Sequence, residues 1–568
     1  MAGKTGNQKI IEQFLADGMD FMFGNPGTVE QGFLDAVAEY PEMKYVLTLQ
    51  ESIAVMMGDG HARHTQRPTL VQLHSSPGIG NAVGAIYQAK RGHSPLVVIG
   101  SDAGTQYVNM DAQMANDLVA MMAPVTKFST MVLSSKSLLR TLRKAIKIAS
   151  TPPMGPVYVC LPMNILDGIN EESIFPTSIP SKRVQPADSL IQEAAQTILR
   201  SQKPMLFIGD GVAYSDAIPE LTKVAELIGA EVYGVDFGDV IFDTTHPLYV
   251  GTTGHMFGTF SHPITSKGDM NLIVGTYMMP EVFPEEGDIY SPESKVIHFD
   301  LNDYEIAKNH RVDLGIVCDP KVSLAALAEA LEANMTDDFR SAAAVRSEAI
   351  GAAKAQKIAS EIENDKQNRG KFPLQMSQFA EILAQKIPAD AIIFDEALTS
   401  SPAITRYIPP QKAGHYFVTR GGSLGVGFPG AIGVKLANPD KTVIGFSGDG
   451  GSMYTIQTLW SAVRHKAGAK FIVCNNGSYK LLQLNIDVYW KERAIEQHPY
   501  PLPFDLSYPA IRFDLLAKSL GVNAVRVEKE EDILPAIEQM FANDEPFLID
   551  LVLEGDNKPD WVKTNCSH

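Results

Sequence analysis

Short apolar runs, the length of buried strands, alternate along this chain with stretches whose apolar positions recur at helical spacing. Leu70-Val71-Gln72-Leu73, Leu96-Val97-Val98-Ile99, Val157-Tyr158-Val159-Cys160, Met205-Leu206-Phe207-Ile208, Leu272-Ile273-Val274 and Ile392-Ile393-Phe394 are strand candidates. Strand and helix in alternation predict parallel sheets covered by helices, an α/β fold. Two polar stretches interrupt the pattern and read as linkers. One is Asn170 to Asp188, rich in Pro, Ser, Glu and Lys; the other is the charged Lys354 to Lys371, ending before Phe372-Pro373. They divide the 568 residues into three Rossmann-like domains with mostly parallel sheets, at 1–180, 189–353 and 372–568. Each piece has the size of a domain, and one core would not serve the whole.

Composition narrows the function class. The net charge of −18 opposes binding to nucleic acid and to anionic membrane surfaces. Cys160, Cys318, Cys474 and Cys566 show no C-x-x-C pairing, which argues against a zinc site or a disulfide framework. The start, Met1 to Asn7, lacks the apolar core of a secretion signal, and no window approaches the ~20 apolar residues of a membrane span. A cytoplasmic protein is expected.

The candidate chemistry lies at two ends of the chain. Gly448-Asp449-Gly450-Gly451 follows the strand-like Thr442 to Phe446 and opens into an amphipathic stretch, Met453 to Lys466. Asn475-Asn476-Gly477-Ser478 follows the next strand, with Asn476 27 residues after Asp449. One carboxylate, one amide oxygen and one backbone carbonyl at a sheet edge suit Mg²⁺ or Ca²⁺, and the glycine-loop amides suit a phosphate. In the first hundred residues, Asn25-Pro26-Gly27-Thr28 forms a turn at a strand end. Glu51 stands between a strand and an apolar helix, and His74 leads into the glycine-rich opening Ser75 to Ala82. A glutamate there is either a favourable helix-start charge or, if buried, a group able to exchange a proton with a ring nitrogen. In the middle, Phe207 to Val212 and Ile273 to Thr276 read as strand–glycine–helix openings without G-x-G-x-x-G spacing. They favour a plain Rossmann-like domain and leave a bound flavin or adenylate open.

Together F-G-N-P-G-T, L-Q-E, L-H-S-S-P-G, S-P-L-V-V-I-G and G-D-G…N-N resemble thiamine-diphosphate (ThDP) enzymes of the pyruvate oxidase/decarboxylase branch, most of all its benzoylformate decarboxylases. The resemblance spans nearly the whole chain in the order pyrimidine-binding, central, diphosphate-binding. It implies ThDP and Mg²⁺, with Asp449, Asn476 and the Ser478 carbonyl as metal ligands. Gly450, Gly451, Tyr454 and Tyr479 would line the diphosphate, and Asn25, Pro26 and Gly27 would line the cofactor from the first domain. Glu51 becomes the activating glutamate at the aminopyrimidine, His74 and Thr28 the substrate-side polar groups. In Arg420 to Gly425, the Gly422 carbonyl would meet the aminopyrimidine and Leu424 would prop the bent cofactor. A homodimer is the implied minimum and a homotetramer, a dimer of dimers, the implied assembly.

Two departures leave the substrate's side chain open. Thr276 to Phe283 lacks the second histidine of benzoylformate decarboxylases, and His255, in Thr253 to Gly258, is the candidate to replace it in space. A longer tract, Leu484 to Phe513, is either a surface insertion or a lid. The expected reaction is non-oxidative decarboxylation of a 2-oxo acid to an aldehyde and CO₂. An acetolactate-synthase-like carboligase is the alternative, and a non-catalytic nucleotide-binding protein of the same fold is the alternative of another class.

Overall fold

The computed structural model describes residues 3–370 and 372–555, so Cys566 and the end of the third expected domain lie outside it. The first sheet comprises β1 (Phe21–Gly24), β2 (Lys44–Leu47), β3 (Thr69–Leu73), β4 (Leu96–Asp102), β5 (Phe128–Met131) and β6 (Val157–Pro162). Its order is β2-β1-β3-β4-β6-β5, with all pairs parallel. The second comprises β7 (Pro204–Ile208), β8 (Glu231–Gly234), β9 (Tyr249–Thr252), β10 (Met270–Val274), β11 (Lys295–Asp300) and β12 (Leu314–Val317). It is again parallel, in the order β12-β11-β10-β7-β8-β9. The third comprises β13 (Ile392–Glu396), β14 (Tyr416–Val418), β15 (Val443–Gly448), β16 (Lys470–Asn475), β17 (Asn523–Val527) and β18 (Phe547–Val552), ordered β14-β13-β15-β16-β18-β17. Every residue of β3, β4, β6, β7, β10 and β13 is buried. Strands covered on both faces need apolar residues at successive positions, which is why these were readable as continuous runs.

The chain forms two compact units. Of the described residues, one holds 3–179, 368–370, 372–408 and 418–555; the other holds 180–367 and 409–417. In the first, the helices that matter most are α1 (Gln31–Val37), α2 (Glu51–Thr65) and α3 (Ser76–Arg91). In the second, α4 runs from Asp337 to Gln367. It occupies most of the stretch expected to be a linker from Lys354 to Lys371. Alanine, glutamate and lysine are strong helix formers, and among the residues of α4 only Ala343 is buried, so a helix forms without the apolar stripe that marks one in sequence. The helix expected after Gly275 is also absent: residues 275–294 are irregular, with Gly275 at φ +64°, Met279 at φ +59° and prolines at 280 and 284.

The first unit also contains α5 (Gly427–Ala437), α6 (Asp449–Thr455), α7 (Thr458–Arg464) and α8 (Lys480–Glu492). The amphipathic stretch after Asp449 is therefore two short helices broken at Ile456-Gln457. Helices α2 and α5 touch backbone to backbone. A Cβ on Gly433 would lie 1.9 Å from the Met57 carbonyl oxygen, and one on Gly60 would lie 2.2 Å from that of Gly430. Among the described residues no helix is long and apolar enough to cross a membrane.

Because main-chain atoms, not flexible side chains, would be struck, Gly433→Val should destabilise the fold by about 3 kcal/mol or more. Thermal unfolding monitored by circular dichroism checks this, with a midpoint several degrees below wild type as the expected result.

Candidate cofactor site

In a parallel sheet a crevice opens where neighbouring strands send their connections to opposite sides. In the first sheet β1 leads outward to β2 while β3 leads the other way to β4. In the third, β13 leads to β14 while β15 leads to β16. The sequence-predicted site residues gather at the carboxyl ends of these strands.

Asn25 to Thr28 follow β1. The Asn25 amide donates to the Thr48 carbonyl at 2.9 Å, and Gln72 donates to the Asn25 carbonyl at 3.3 Å, pinning the turn over the sheet edge. Pro26 and Thr28 are exposed and Gly27 is half-buried. Glu51 is the first residue of α2, capped by Gln50, whose side-chain oxygen accepts from the Ser52 amide at 2.7 Å. Its carboxylate is half-buried and accepts from the Asn81 amide at 3.1 Å. Ahead of it, the Leu47 N–H donates to His465 Nε2 at 2.9 Å and the Ser461 hydroxyl donates to the Leu47 carbonyl at 3.0 Å. Burial lowers the His465 pKa, which keeps the ring neutral and able to accept. His74 follows β3. Gly78 brings it to Glu51: a Cβ there would sit 2.9 Å from Glu51 Oε1 and 3.0 Å from His74 Cβ.

The second cluster follows β15 and β16. Asp449 is buried, and burial raises its pKa to about 6 against the pull of the Gly450, Gly477, Ser478 and Asn476 amides. Its oxygens accept from Gly450 at 2.7 Å and Gly477 at 2.6 Å. The paired asparagines part company. Asn475 donates to buried Asp550 at 2.8 Å, whereas the Asn476 oxygen accepts from the Ser478 N–H at 3.0 Å and stays at the edge. Gly450 leaves room for the Tyr479 ring, 2.3 Å from where its Cβ would be. Gly451 is buried against Ser447 and Glu396. The tract Leu484 to Phe513 is neither a free insertion nor wholly irregular. It begins as part of α8 and returns so that Tyr479 donates to Phe504 O at 2.9 Å and Leu506 donates to Gly477 O at 2.8 Å.

Gly422 is exposed at φ +71°, with open space where a Cβ would stand, and Leu424 beside it is half-buried. The loop is held from below by Glu396, buried at the end of β13, which accepts from the Gly425 and Gly427 amides and from Ser447. Burial raises its pKa to about 7. From the side it is held by α3: Arg420 donates to the Arg91 carbonyl at 2.9 Å, and a Cβ on Gly421 would meet the Arg91 side chain at 3.1 Å. The Gly422 loop and Glu51 thus lie at opposite ends of α3. In the other compact unit, His255 is exposed.

The donor set fits a hard divalent ion and a diphosphate. Among the described residues no three His, Cys, Asp or Glu side chains converge. What converges is Asp449, Asn476 and the backbone of Ser478, and among the described residues the buried Asp449 has no ion-pair partner. Oxygen ligands and uncompensated negative charge are what Mg²⁺ takes.

Three thiamine pyrophosphate enzyme domains match this chain in order: the N-terminal TPP binding domain at 4–121, the central domain at 191–327 and the C-terminal TPP binding domain at 399–551. The chain belongs to the thiamine pyrophosphate enzyme family. A benzoylformate decarboxylase of Pseudomonas aeruginosa is 28% identical over 96% of this chain and 98% of its own. A probable acetolactate synthase large subunit of Methanocaldococcus jannaschii is also 28% identical, over 97% and 92%. The solved ThDP-dependent 4-hydroxybenzoylformate decarboxylase of Rhodococcus jostii RHA1 superposes with a TM-score of 0.83 at 26% identity, covering 98% of this chain and all of that one. The protein is therefore a ThDP-dependent enzyme of the lyase or carboligase class, and the non-catalytic alternative is set aside.

Sequence reading missed Glu30 and Glu396. Each has a faint signal: Glu396 is the second of two acids that close the apolar run Ile392 to Phe394, and Glu30 lies two residues beyond the N-P-G-T turn. Gly450→Ala, which drives a methyl group into the Tyr479 ring, should weaken ThDP retention at least ~10-fold while the fold persists. Titration calorimetry with ThDP on the variant is the check.

Proposed function

We propose that this enzyme decarboxylates a 2-oxo acid without oxidation, releasing an aldehyde and CO₂. The observation that supports this most is the adjacency of Glu51 and His74 around Gly78, a carboxyl for the cofactor ring beside an imidazole for the substrate. Bound ThDP supplies a nucleophilic carbon and a sink for the electrons freed when the bond beside the ketone breaks. Glu51 exchanges a proton with the aminopyrimidine, Thr28 orients the substrate carboxylate by its hydroxyl, and His74 carries a proton to the product. Asn25, Pro26, Gly27, Gly422 and Leu424 shape the ring site. Asp449, Asn476 and the Ser478 carbonyl hold Mg²⁺, and Gly450, Gly451, Tyr454 and Tyr479 line the diphosphate. In this reading the domains at 1–180, 189–353 and 372–568 are pyrimidine-binding, central and diphosphate-binding, in a cytoplasmic enzyme.

The spacing along α3 supports a site shared between two copies. Glu51 meets the helix at Gly78 and the Gly422 loop meets it at Arg91, so thirteen residues, about 20 Å of helix, separate the two halves within one chain. In this reading one cofactor takes its halves from two chains, in a homodimer that pairs into a homotetramer.

The equal identity to an acetolactate synthase supports a second reading, a carboligase that joins two carbonyl compounds. A panel of 2-oxo acids with and without acceptor aldehyde, assayed for CO₂, aldehyde and ligated product, separates the two. CO₂ without aldehyde or ligation product from any 2-oxo acid would defeat the first reading. Glu51→Gln should lower turnover by ~100-fold or more and leave ThDP affinity nearly unchanged. Stripping divalent ions with EDTA should abolish turnover and Mg²⁺ should restore it in wild type but not in Asp449→Ala.

A further inference from the structure

Glu30 has no part in the roles above, and its placement is costly. It is the residue before α1, where a carboxylate ordinarily accepts N–H bonds from the first turn, yet its side chain makes none. It turns instead beneath the sheet edge, 1% exposed, and meets His74 Nδ1 at 2.9 Å and the Ser101 amide at 3.4 Å. The charge of Glu30 is felt by Tyr45, Tyr158 and Cys160, none of which is a cation. Burial pushes the Glu30 carboxyl up and His74 pulls it back. The imidazole is confined as well: a Cβ on Gly27 would lie 1.9 Å from Nδ1, and one on Gly78 would lie 3.0 Å from His74 Cβ. Turning the ring over would require the Asn25 to Thr28 turn to move. Among the described residues Nε2 has no protein hydrogen-bond partner.

We propose that Glu30 and His74 form an acid–base dyad in which Glu30 is the positioning residue, holding a proton on Nδ1 so that Nε2 faces the substrate. The dyad stands on geometry; only the destination of its proton rests on the decarboxylase reading. In that step the Nε2–H bond of the imidazolium breaks, its electron pair stays on the ring, and a C–H bond forms at the product carbon. The ring falls from one positive charge to none, Glu30 stays ionised throughout, and water returns the proton to Nε2.

The test uses the holoenzyme with histidine labelled with ¹³C at Cδ2, a shift that distinguishes the two ring tautomers; the His74 signal is the one lost in His74→Asn. Wild type should show the Nδ1–H form. Glu30→Ala should move it to the Nε2–H form and lower kcat at least ~30-fold with KM within about threefold. Glu30→Gln, which keeps an acceptor and loses the charge, should retain the Nδ1–H form with an intermediate kcat. A Glu30→Ala enzyme with an unchanged tautomer and kcat within about threefold of wild type overturns the dyad. Should that variant not fold, an unchanged kcat in Glu30→Gln overturns it. If no 2-oxo acid is turned over, the tautomer of the resting wild-type protein still decides: a predominant Nε2–H form overturns it.

Discussion

The contact of α2 with α5 is the constraint on which the rest depends. Both helices begin at site loops, α2 at Glu51 and α5 just beyond the Gly422 loop, and glycines at 60, 430 and 433 let their main chains touch. Helices spaced by side chains sit 8–10 Å apart and slide as those side chains repack. Backbone contact removes that freedom. The distance from the first sheet to the third is thus set by atoms that substitution cannot resize, and His465 and Ser461 bolt the approach to Glu51 onto the same frame.

A second theme is negative charge out of water. Glu396 and Asp449 are buried and satisfied by main-chain amides instead of by lysine or arginine. Amides at a loop or a helix start are dipoles fixed in place, so each carboxylate also orders the loop that feeds it. An acid holding a loop by its amides is released only by breaking several hydrogen bonds at once, which suits loops that must keep their shape around a cofactor.

Much of this was legible in the sequence because burial on both faces writes a strand as an uninterrupted apolar run. Asp449, Asn476 and His74 were legible because each stands at the end of such a run, where parallel sheets place chemistry, and Glu51 because it opens an apolar helix just after a strand. What failed to show was what lacks an apolar signature. α4 forms from good helix formers with almost no buried face, so it looks like a charged linker. The two asparagines look alike until Asp550, 75 residues beyond Asn475, claims that one. Glu30 and His74 are 44 residues apart, and only the neighbouring positions of β1 and β3 bring them together.

The return of the chain over the asparagine turn carries one more consequence. Hydrogen bonds at Gly477 and Tyr479 on one side and at Phe504 and Leu506 on the other close residues 480–503 at their base. A segment tied off in this way can lengthen, shorten or change character without tugging on the turn beneath, because closing a longer loop costs little. Residues 480–503 can therefore change without disturbing the turn that carries Asn476 and Ser478.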